Sequence, residues 1–181
     1  QLAALEKSGA QKPYALFMEM GTGKSKVLVD KIAMLYDRGA IKGALIVAPK
    51  GVYKNWHDIE IPVHLPEHVE HTKVLWEPTQ TKKKQLELDT LFDGGADLKV
   101  LIMNIEAFST NKGLDFAHSF LNIFLGKALI GIDESTTIKN PTAKRTKSIL
   151  RIGNLASYRR ILTGSPVTKP PLDLYSQCEF L

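Results

Sequence analysis

The chain has 181 residues, of which 44% are hydrophobic and 24% are charged, and this composition is typical of an ordinary globular protein that fits one domain. The single cysteine, Cys178, excludes an internal disulfide and a cysteine-based zinc site, and it is typical of a reducing, intracellular setting. The net charge of +5 favours polyanionic partners modestly and does not indicate nucleic-acid binding by itself.

No apolar run is long enough to span a membrane, and no signal peptide opens the chain. We therefore expect a cytoplasmic protein without a membrane partner. Because the first residue is Gln1 rather than methionine, we also expect residues 1–181 to be a single domain, either excised from a longer protein or an ordered fragment of one.

Short apolar runs alternate with helical periodicity along the chain. The runs predict strands at 14–19, 44–48, 73–76, 99–103, 129–132 and 159–162. Helices are predicted at 2–9, 24–38, 52–61, 82–92, 114–125 and 142–154, with a short helix after residue 104 and a last helix near residue 171. Thr79 or Thr81 is placed to cap the basic helix at 82–92. This alternation predicts an α/β fold, with a mostly parallel β-sheet flanked by helices on both faces.

The strongest motif is the glycine loop Gly21-Thr22-Gly23-Lys24-Ser25, which follows the first strand and opens the next helix. A strand, a glycine loop, a lysine, a hydroxyl residue and a helix together form the arrangement that binds a nucleoside triphosphate. The two glycines let the backbone turn and point its N–H groups at the phosphates, and the helix N-terminus adds positive potential. Lys24 is predicted to reach the β- and γ-phosphates, and the Ser25 hydroxyl is predicted to bind Mg²⁺.

A second interpretation of this loop stays open on the loop alone. The full phosphate-loop pattern has a glycine six residues before the lysine, and this chain has Met18 there. A flexible glycine loop ahead of a surface helix is therefore the alternative.

Asp133-Glu134 directly follows the fifth predicted strand. Ligands of parallel sheets bind at the carboxyl ends of the strands, so this pair is expected at the same edge as the glycine loop. Asp133 is predicted to hold Mg²⁺ alongside Ser25, and Glu134 is predicted to orient or deprotonate the attacking water. The alternative is an acidic pair that merely opens a loop.

Thr163-Gly164-Ser165 ends the sixth predicted strand at the same edge. Its small hydroxyl side chains could hydrogen-bond the carboxylates and transmit the state of the γ-phosphate to other parts of the protein. A simple turn at the end of a strand is the alternative.

Other polar residues follow strands that lie away from the glycine loop in the sequence. Lys50, Gly51 and Asn104 are typical donors to a nucleic-acid backbone, and solvated turn residues are the alternative for each. The lysine-rich runs at 82–84 and 144–147 are more often exposed helix faces. The five histidines, at 57, 64, 68, 71 and 118, show no metal-ligand spacing and are predicted to be surface residues.

Together these motifs resemble the first RecA-like lobe of a superfamily-two helicase, most closely the Swi/Snf-like branch and its phage-encoded DNA helicases. The phosphate loop of that branch also lacks the early glycine, which explains Met18. The resemblance covers essentially the whole chain. Its segments are the phosphate loop at 19–25, motif Ia at 46–50 with Asn55-Trp56, and motif Ib at 103–105. They continue with motif II at 133–136 and its tail at 138–140, and with motif III at 162–167, followed by Leu172 and Leu174-Tyr175.

The resemblance implies a RecA-like P-loop domain with ATP and Mg²⁺ as cofactors. Its partner would be DNA, expected to be double-stranded, with RNA left open. Gln1 lies 23 residues before Lys24, about where the family has an adenine-reading glutamine. A phage-encoded member would work in the cytoplasm of a bacterial host cell.

Two departures from the family pattern carry further expectations. Motif II of the branch usually ends in histidine, and Thr136 stands in that place, so we expect the coupling of hydrolysis to DNA to use a different hydrogen bond. The chain also stops after motif III, so the second RecA-like lobe with its arginine finger is expected outside it, and the isolated lobe is expected to hydrolyse little ATP. A P-loop ATPase that does not act on nucleic acid, and a binding module without turnover, are the alternatives.

Overall fold

The protein folds around one six-stranded sheet in which all neighbouring strands are parallel, in the order β1-β6-β5-β2-β4-β3. The computed structural model describes residues 1–9, 11–78, 81–167 and 171–181. The predicted α/β class is confirmed. The strands are β1 (Pro13–Phe17), β2 (Gly43–Ala48), β3 (His71–Leu75), β4 (Leu98–Asn104), β5 (Ala128–Asp133) and β6 (Tyr158–Thr163).

The predicted helices are also found, with ends that differ by a few residues. The α-helices are α1 (Leu2–Lys7), α2 (Lys24–Asp37), α3 (Tyr53–Asn55), α4 (Ile61–His64), α5 (Lys82–Asp89), α6 (Asn111–Ile123), α7 (Lys144–Gly153) and α8 (Tyr175–Phe180). Short 3₁₀ helices occur at Ile105–Ser109, Ser135–Ile138 and Pro171–Leu174. Thr81 caps α5 by accepting a hydrogen bond from the backbone N–H of Lys84 at 3.2 Å, whereas Thr79 lies outside the described residues.

A π-helical turn, Trp56–Glu60, joins α3 to α4, so the predicted helix at 52–61 is one continuous helical segment with a wider turn inside it. Such turns are rare and occur frequently at functional sites. Trp56, the first residue of the turn, is 1% exposed and packs in a hydrophobic core together with residues of α2.

Alternate residues of the strands face two hydrophobic cores. Leu45 and Val47 of β2 pack on the side covered by α5, α6, α7 and α8. Ala44 and Ile46 of the same strand pack on the side covered by α2 and the helical segment 53–64. Because helices cover both faces, every residue of β2 is buried, as expected for a central parallel strand.

Two buried cations fix the connection between α1 and β1. The guanidinium of Arg160, in β6, donates to the backbone carbonyls of Gln11 and Lys12 at 2.7 and 2.5 Å. Lys31, in α2, donates from Nζ to the carbonyl of Gly9. Both side chains are 1% exposed. These bonds hold the segment that precedes β1, and with it α1, against the sheet.

The stability of the fold is expected to depend on Lys31 in alkaline solution. Burial, with the positive charges of Arg160 and Arg38 added, lowers the pKa of Lys31 from 10.5 to about 8. The unfolded chain therefore binds more protons at this residue between those values, so stability should rise with pH in that window. We expect the free energy of unfolding of the wild type, relative to Lys31→Met, to be larger at about pH 9.5 than at about pH 7 in urea denaturation. A difference that is equal at both pH values, or smaller at the higher one, would contradict this account.

Candidate active site

Three of the predicted segments follow adjacent strands at one half of the sheet edge. The glycine loop follows β1, Thr163-Gly164-Ser165 ends β6, and Asp133-Glu134 ends β5. In the sheet register Thr163 pairs with Phe17, and Asp133 pairs with Leu162. The sheet therefore brings these segments together at the carboxyl ends of β1, β6 and β5.

The glycine loop has the backbone conformation that its sequence predicts. Gly21 and Gly23 have φ angles of 74° and 84°, values that a side chain makes costly. The Thr22 hydroxyl donates to the carbonyl of Glu19 at 2.6 Å and tightens the turn. The loop then leads directly into α2 at Lys24, so the first N–H groups of that helix lie beside it.

Lys24 is 9% exposed, and its ammonium group lies inside the loop. Nζ donates to the carbonyls of Met18 and Glu19, both at 2.9 Å. A phosphate oxygen is a stronger, charged acceptor than a neutral carbonyl and can replace either one. The position of Lys24 thus suits the binding of a phosphate.

Gln1 lies against the glycine loop. Its side-chain amide donates to the carbonyl of Thr22 at 3.2 Å. A Cβ added to Gly23 would come within 2.2 Å of Gln1 Nε2, so a larger residue there would displace the glutamine. Adenine reading by Gln1 stays a prediction.

An open cleft of about 310 Å³ lies beside the loop. It is lined by Gly21, Gly23, Lys24, Ser25, Lys26, Glu60 and His64. The last two come from the helical segment 53–64, and their side chains lie 3.5 Å apart. The sequence did not indicate Glu60 for this site, and it predicted His64 to be a surface residue. Neither residue could be assigned to the cleft, because local spacing does not show that this helical segment packs beside the glycine loop.

Asp133 is a largely buried carboxylate with two donors. Its Oδ1 accepts the backbone N–H of Glu134, and its Oδ2 accepts the indole N–H of Trp56, both at 3.0 Å. Burial raises the pKa of Asp133 above its usual range, the Trp56 hydrogen bond opposes that rise, and the charge of Glu134 adds to it. Trp56 therefore orients this carboxylate and stabilises its charged form.

Glu134 has a strained backbone. Its φ of 48° is left-handed, and it is the one non-glycine residue with positive φ in the described part of the chain. Such strain occurs at functional sites. The Thr163 hydroxyl donates to Glu134 Oε2 at 3.2 Å. This contact confirms the predicted hydrogen bond between Thr163-Gly164-Ser165, called the hydroxyl segment below, and the acidic pair Asp133-Glu134. Transmission of the nucleotide state through that bond stays a prediction.

The hydroxyl segment also contacts the start of the glycine loop. The carbonyl of Thr163 accepts the backbone N–H of Met18 at 3.2 Å. A small cleft of about 160 Å³ opens between these segments, lined by Met20, Glu134, Thr136, Thr163, Gly164 and Ser165. Thr136, which stands where the branch has histidine, therefore lies beside the hydroxyl segment.

The oxygen donors at this edge fit Mg²⁺. That ion usually binds through one or two protein ligands together with substrate phosphates, rather than in a cage made of protein alone. The Ser25 hydroxyl and the Asp133 carboxylate are the predicted members of such a minimal set. No cluster of three or more histidine, cysteine or acidic residues suited to a metal occurs in the described ranges.

The other half of the edge, formed by β2, β4 and the end of β3, contains a second cleft of about 270 Å³. Its lining is largely apolar and comprises Lys50, Tyr53, Trp76, Pro78, Asn104, Glu106, Ala107 and Thr110. Lys50 and Gly51 are exposed, whereas Asn104 is 7% exposed and accepts the backbone N–H of Ala107 at 2.8 Å. Asn104 thus caps a 3₁₀ helix through its oxygen, and its predicted contact with nucleic acid stays a prediction.

Across the described ranges, no helix is long and apolar enough to cross a membrane.

Several solved structures resemble the fold. The SWI2/SNF2 ATPase core of Sulfolobus solfataricus, solved in complex with dsDNA, matches 99% of this chain and 33% of that one, with a TM-score of 0.70 and 20% identity. The UvsW helicase of bacteriophage T4 matches 96% of this chain and 55% of that one, with a TM-score of 0.65 and 16% identity. At these identities the likeness shows a shared fold.

Curated proteins resemble the chain at the sequence level. The chain is 26% identical over 171 residues to Protein CHROMATIN REMODELING 24 of Arabidopsis thaliana, and 28% identical over 172 residues to Probable ATP-dependent DNA helicase CHR12 of the same plant. It is 29% identical over 165 residues to the Danio rerio SWI/SNF-related matrix-associated actin-dependent regulator of chromatin subfamily A containing DEAD/H box 1A. Each match covers 90% of this chain but only 14 to 16% of the relative.

The family model of the SNF2-related domain matches residues 8–181, nearly the whole chain. This match confirms the resemblance to the Swi/Snf-like branch that the motifs carry. The chain belongs to the SNF2-related domain family.

Proposed function

We propose that this chain is the ATP-binding lobe of a DNA-dependent ATPase, a helicase or double-strand translocase that couples ATP hydrolysis to movement on nucleic acid. The observation that carries the proposal is the meeting of three segments on adjacent strands β1, β6 and β5, in a chain of the SNF2-related domain family. Within that site, the Thr163 hydroxyl already contacts Glu134 at 3.2 Å.

The chain's own residues would divide the work on ATP. The N–H groups of the loop Gly21–Ser25 and the Lys24 ammonium bind the phosphates, and Gln1 binds adenine. Ser25 and Asp133 hold Mg²⁺, which supplies charge neutralisation on the phosphate oxygens. Glu134 orients the attacking water and accepts its proton.

The hydroxyl segment would carry the outcome of that reaction away from the nucleotide. Thr163, Gly164 and Ser165 lie between the acidic pair and the start of the glycine loop, so a change at Glu134 reaches them through the existing hydrogen bond. Lys50, Gly51 and Asn104 would contact the nucleic-acid backbone from the other half of the same edge.

We propose double-stranded DNA as the partner, since the likeness extends to a SWI2/SNF2 core solved with dsDNA. The domain would be completed by a second RecA-like lobe that supplies an arginine finger. Because the chain spans about one seventh of its curated relatives, the activity belongs to the complete protein, and residues 1–181 alone should hydrolyse little ATP. A cytoplasmic location, in a bacterial host for a phage protein, stays a prediction.

Stimulation of ATP hydrolysis tests the proposal against its alternatives. We expect the complete protein that carries this chain to hydrolyse ATP faster with double-stranded DNA than without it. Parallel assays with single-stranded DNA, RNA and heparin separate DNA recognition from a general response to polyanions. Hydrolysis that no nucleic acid stimulates at any salt concentration would indicate a P-loop ATPase with another task. Binding of DNA without hydrolysis would indicate a binding module.

Replacement of Trp56 by phenylalanine is expected to weaken the magnesium site. The change removes the indole N–H that donates to Asp133 Oδ2, and loss of such an orienting partner lowers metal affinity or activity about 10- to 100-fold. The Mg²⁺ concentration for half-maximal ATP hydrolysis should therefore rise about tenfold.

Trp76→Phe is the matched control for this experiment. Trp76 is also 1% exposed, but its indole N–H has no acceptor among the described residues, so the same substitution breaks no hydrogen bond. Because Trp76 lines the second cleft, the comparison is made on hydrolysis without nucleic acid, where the variant's Mg²⁺ dependence should equal that of the wild type. An equal Mg²⁺ dependence in Trp56→Phe would refute the orienting role of Trp56.

A further inference from the structure

A buried glutamine of the last helix contacts the residue that follows the acidic pair and the residue that follows Thr163-Gly164-Ser165. Gln177, in α8, is 0% exposed. Its Oε1 accepts the Ser135 hydroxyl at 2.6 Å, and its Nε2 donates to the carbonyl of Pro166 at 2.9 Å and to that of Asp173 at 2.8 Å. Both N–H groups of the amide and its oxygen are therefore engaged.

The two ends of this contact adjoin the candidate active site. Ser135 directly follows Glu134 and is itself 0% exposed. Pro166 directly follows Ser165. Gln177 thus bridges the residue after the acidic pair and the residue after the hydroxyl segment, independently of the bond between Thr163 and Glu134.

A second link joins the same elements. Lys139, one residue beyond the 3₁₀ helix that Ser135 begins, forms an ion pair with Asp173 at 3.5 Å. Asp173 is the residue whose carbonyl accepts from Gln177. The chain that follows the acidic pair therefore contacts the segment that contains α8 at two points, through Ser135 and through Lys139.

The chemistry of this position is more specific than packing requires. On the same helix, Phe180 is 1% exposed and packs in the hydrophobic core, whereas Gln177 is buried against a hydroxyl and two backbone carbonyls. A buried amide is costly unless all its hydrogen bonds are made, and when they are made it fixes the positions of its partners. Gln177 meets that condition with the hydroxyl of Ser135 and the carbonyls of Pro166 and Asp173.

We propose that Gln177 is a positioning residue that couples the Asp133-Glu134 turn to the Thr163-Gly164-Ser165 segment through Ser135 and Pro166. Thr136 stands at the position of the branch's motif II histidine, and the link that the structure shows runs through the neighbouring Ser135. A movement of the strained turn at Glu134 shifts Ser135, and the amide passes the shift to the hydroxyl segment. The inference rests on the proposed function, because it concerns how DNA-stimulated hydrolysis is transmitted.

The test uses Ser135→Ala and Gln177→Met in the complete protein, assayed for ATP hydrolysis with and without double-stranded DNA. We expect each change to lower the ratio of DNA-stimulated to basal kcat about tenfold, with the KM for ATP within about twofold of wild type. The double variant removes both partners, so its stability should be no lower than that of Gln177→Met, yet its ratio should stay low. A merely structural role would restore the ratio together with stability.

Ser176→Ala is the matched control. Ser176 neighbours Gln177 in α8 and is 0% exposed, and its hydroxyl has no partner among the described residues, so the wild-type ratio is expected. The inference is wrong if DNA stimulates the wild type and both single variants keep the wild-type ratio of stimulated to basal kcat. It is also wrong if that ratio recovers in the double variant. A wild type that DNA does not stimulate would overturn the proposed function, and the inference with it.

Discussion

Lys24→Ala is expected to lower the kcat for ATP hydrolysis by the complete protein about a hundred- to a thousandfold. The Lys24 ammonium lies inside the glycine loop, 2.9 Å from two backbone carbonyls, where it can exchange a carbonyl for a phosphate oxygen. Removal of a fixed donor to charge that develops in a transition state costs about this much. Lys24 is 9% exposed, so backbone carbonyls of the loop rather than solvent hold its ammonium group in place.

Two measurements check this expectation. Steady-state hydrolysis gives kcat, and the rise in the midpoint of thermal unfolding on adding ATP and Mg²⁺ reports nucleotide binding. The rise should be clear in the wild type and small in Lys24→Ala. Lys42→Ala is the control, because Lys42 is exposed and precedes β2 at the opposite edge of the sheet. Hydrolysis by Lys24→Ala at nearly the wild-type rate would show that the glycine loop does not bind the phosphates.

Glu134→Gln is expected to stop hydrolysis while ATP stays bound. Glutamine has the shape of glutamate and can still accept the Thr163 hydroxyl, so the geometry of the turn is preserved. It cannot accept a proton from water, and loss of a positioned base lowers kcat about 100- to 10,000-fold. Removal of a negative charge beside the phosphates should leave ATP affinity equal or higher.

Parallel measurement of kcat and of the Kd for ATP separates a catalytic role from a binding role. Glu67→Gln is the control, since Glu67 is exposed in the connection that precedes β3, away from the candidate site. A variant Glu134→Gln that hydrolyses ATP normally, or that loses ATP binding in proportion to kcat, would contradict the proposed role of Glu134.

Local features of the fold could be predicted from the sequence because they depend on neighbouring residues. The glycine loop requires positive φ at Gly21 and Gly23, and glycine is the residue that adopts it at low cost. Thr81 begins α5 because its hydroxyl accepts a backbone N–H three residues on. An acidic pair that follows a buried strand was also placed correctly, since parallel strands end at a shared edge.

Contacts between residues far apart in the sequence depend on the order of the strands and on how the helices pack. The alternation of strands and helices in the sequence determines neither of these. Trp56 donates to Asp133 across 77 residues, and Ser135 donates to Gln177 across 42. Neither pair has a local signature. Asn104 could not be assigned to one role from its sequence position. An asparagine before a helix can cap that helix, as Asn104 does, or it can donate to nucleic acid.

Movement along DNA is the most direct test of the account, because it requires both halves of the sheet edge and the coupling between them. The complete protein would be mixed with duplex DNA that carries a labelled third strand, and release of that strand would be followed over time. We predict release with ATP and Mg²⁺, and none with a non-hydrolysable ATP analogue or with Glu134→Gln. Hydrolysis of ATP on this DNA with neither release of the third strand nor separation of the duplex would contradict the central claim.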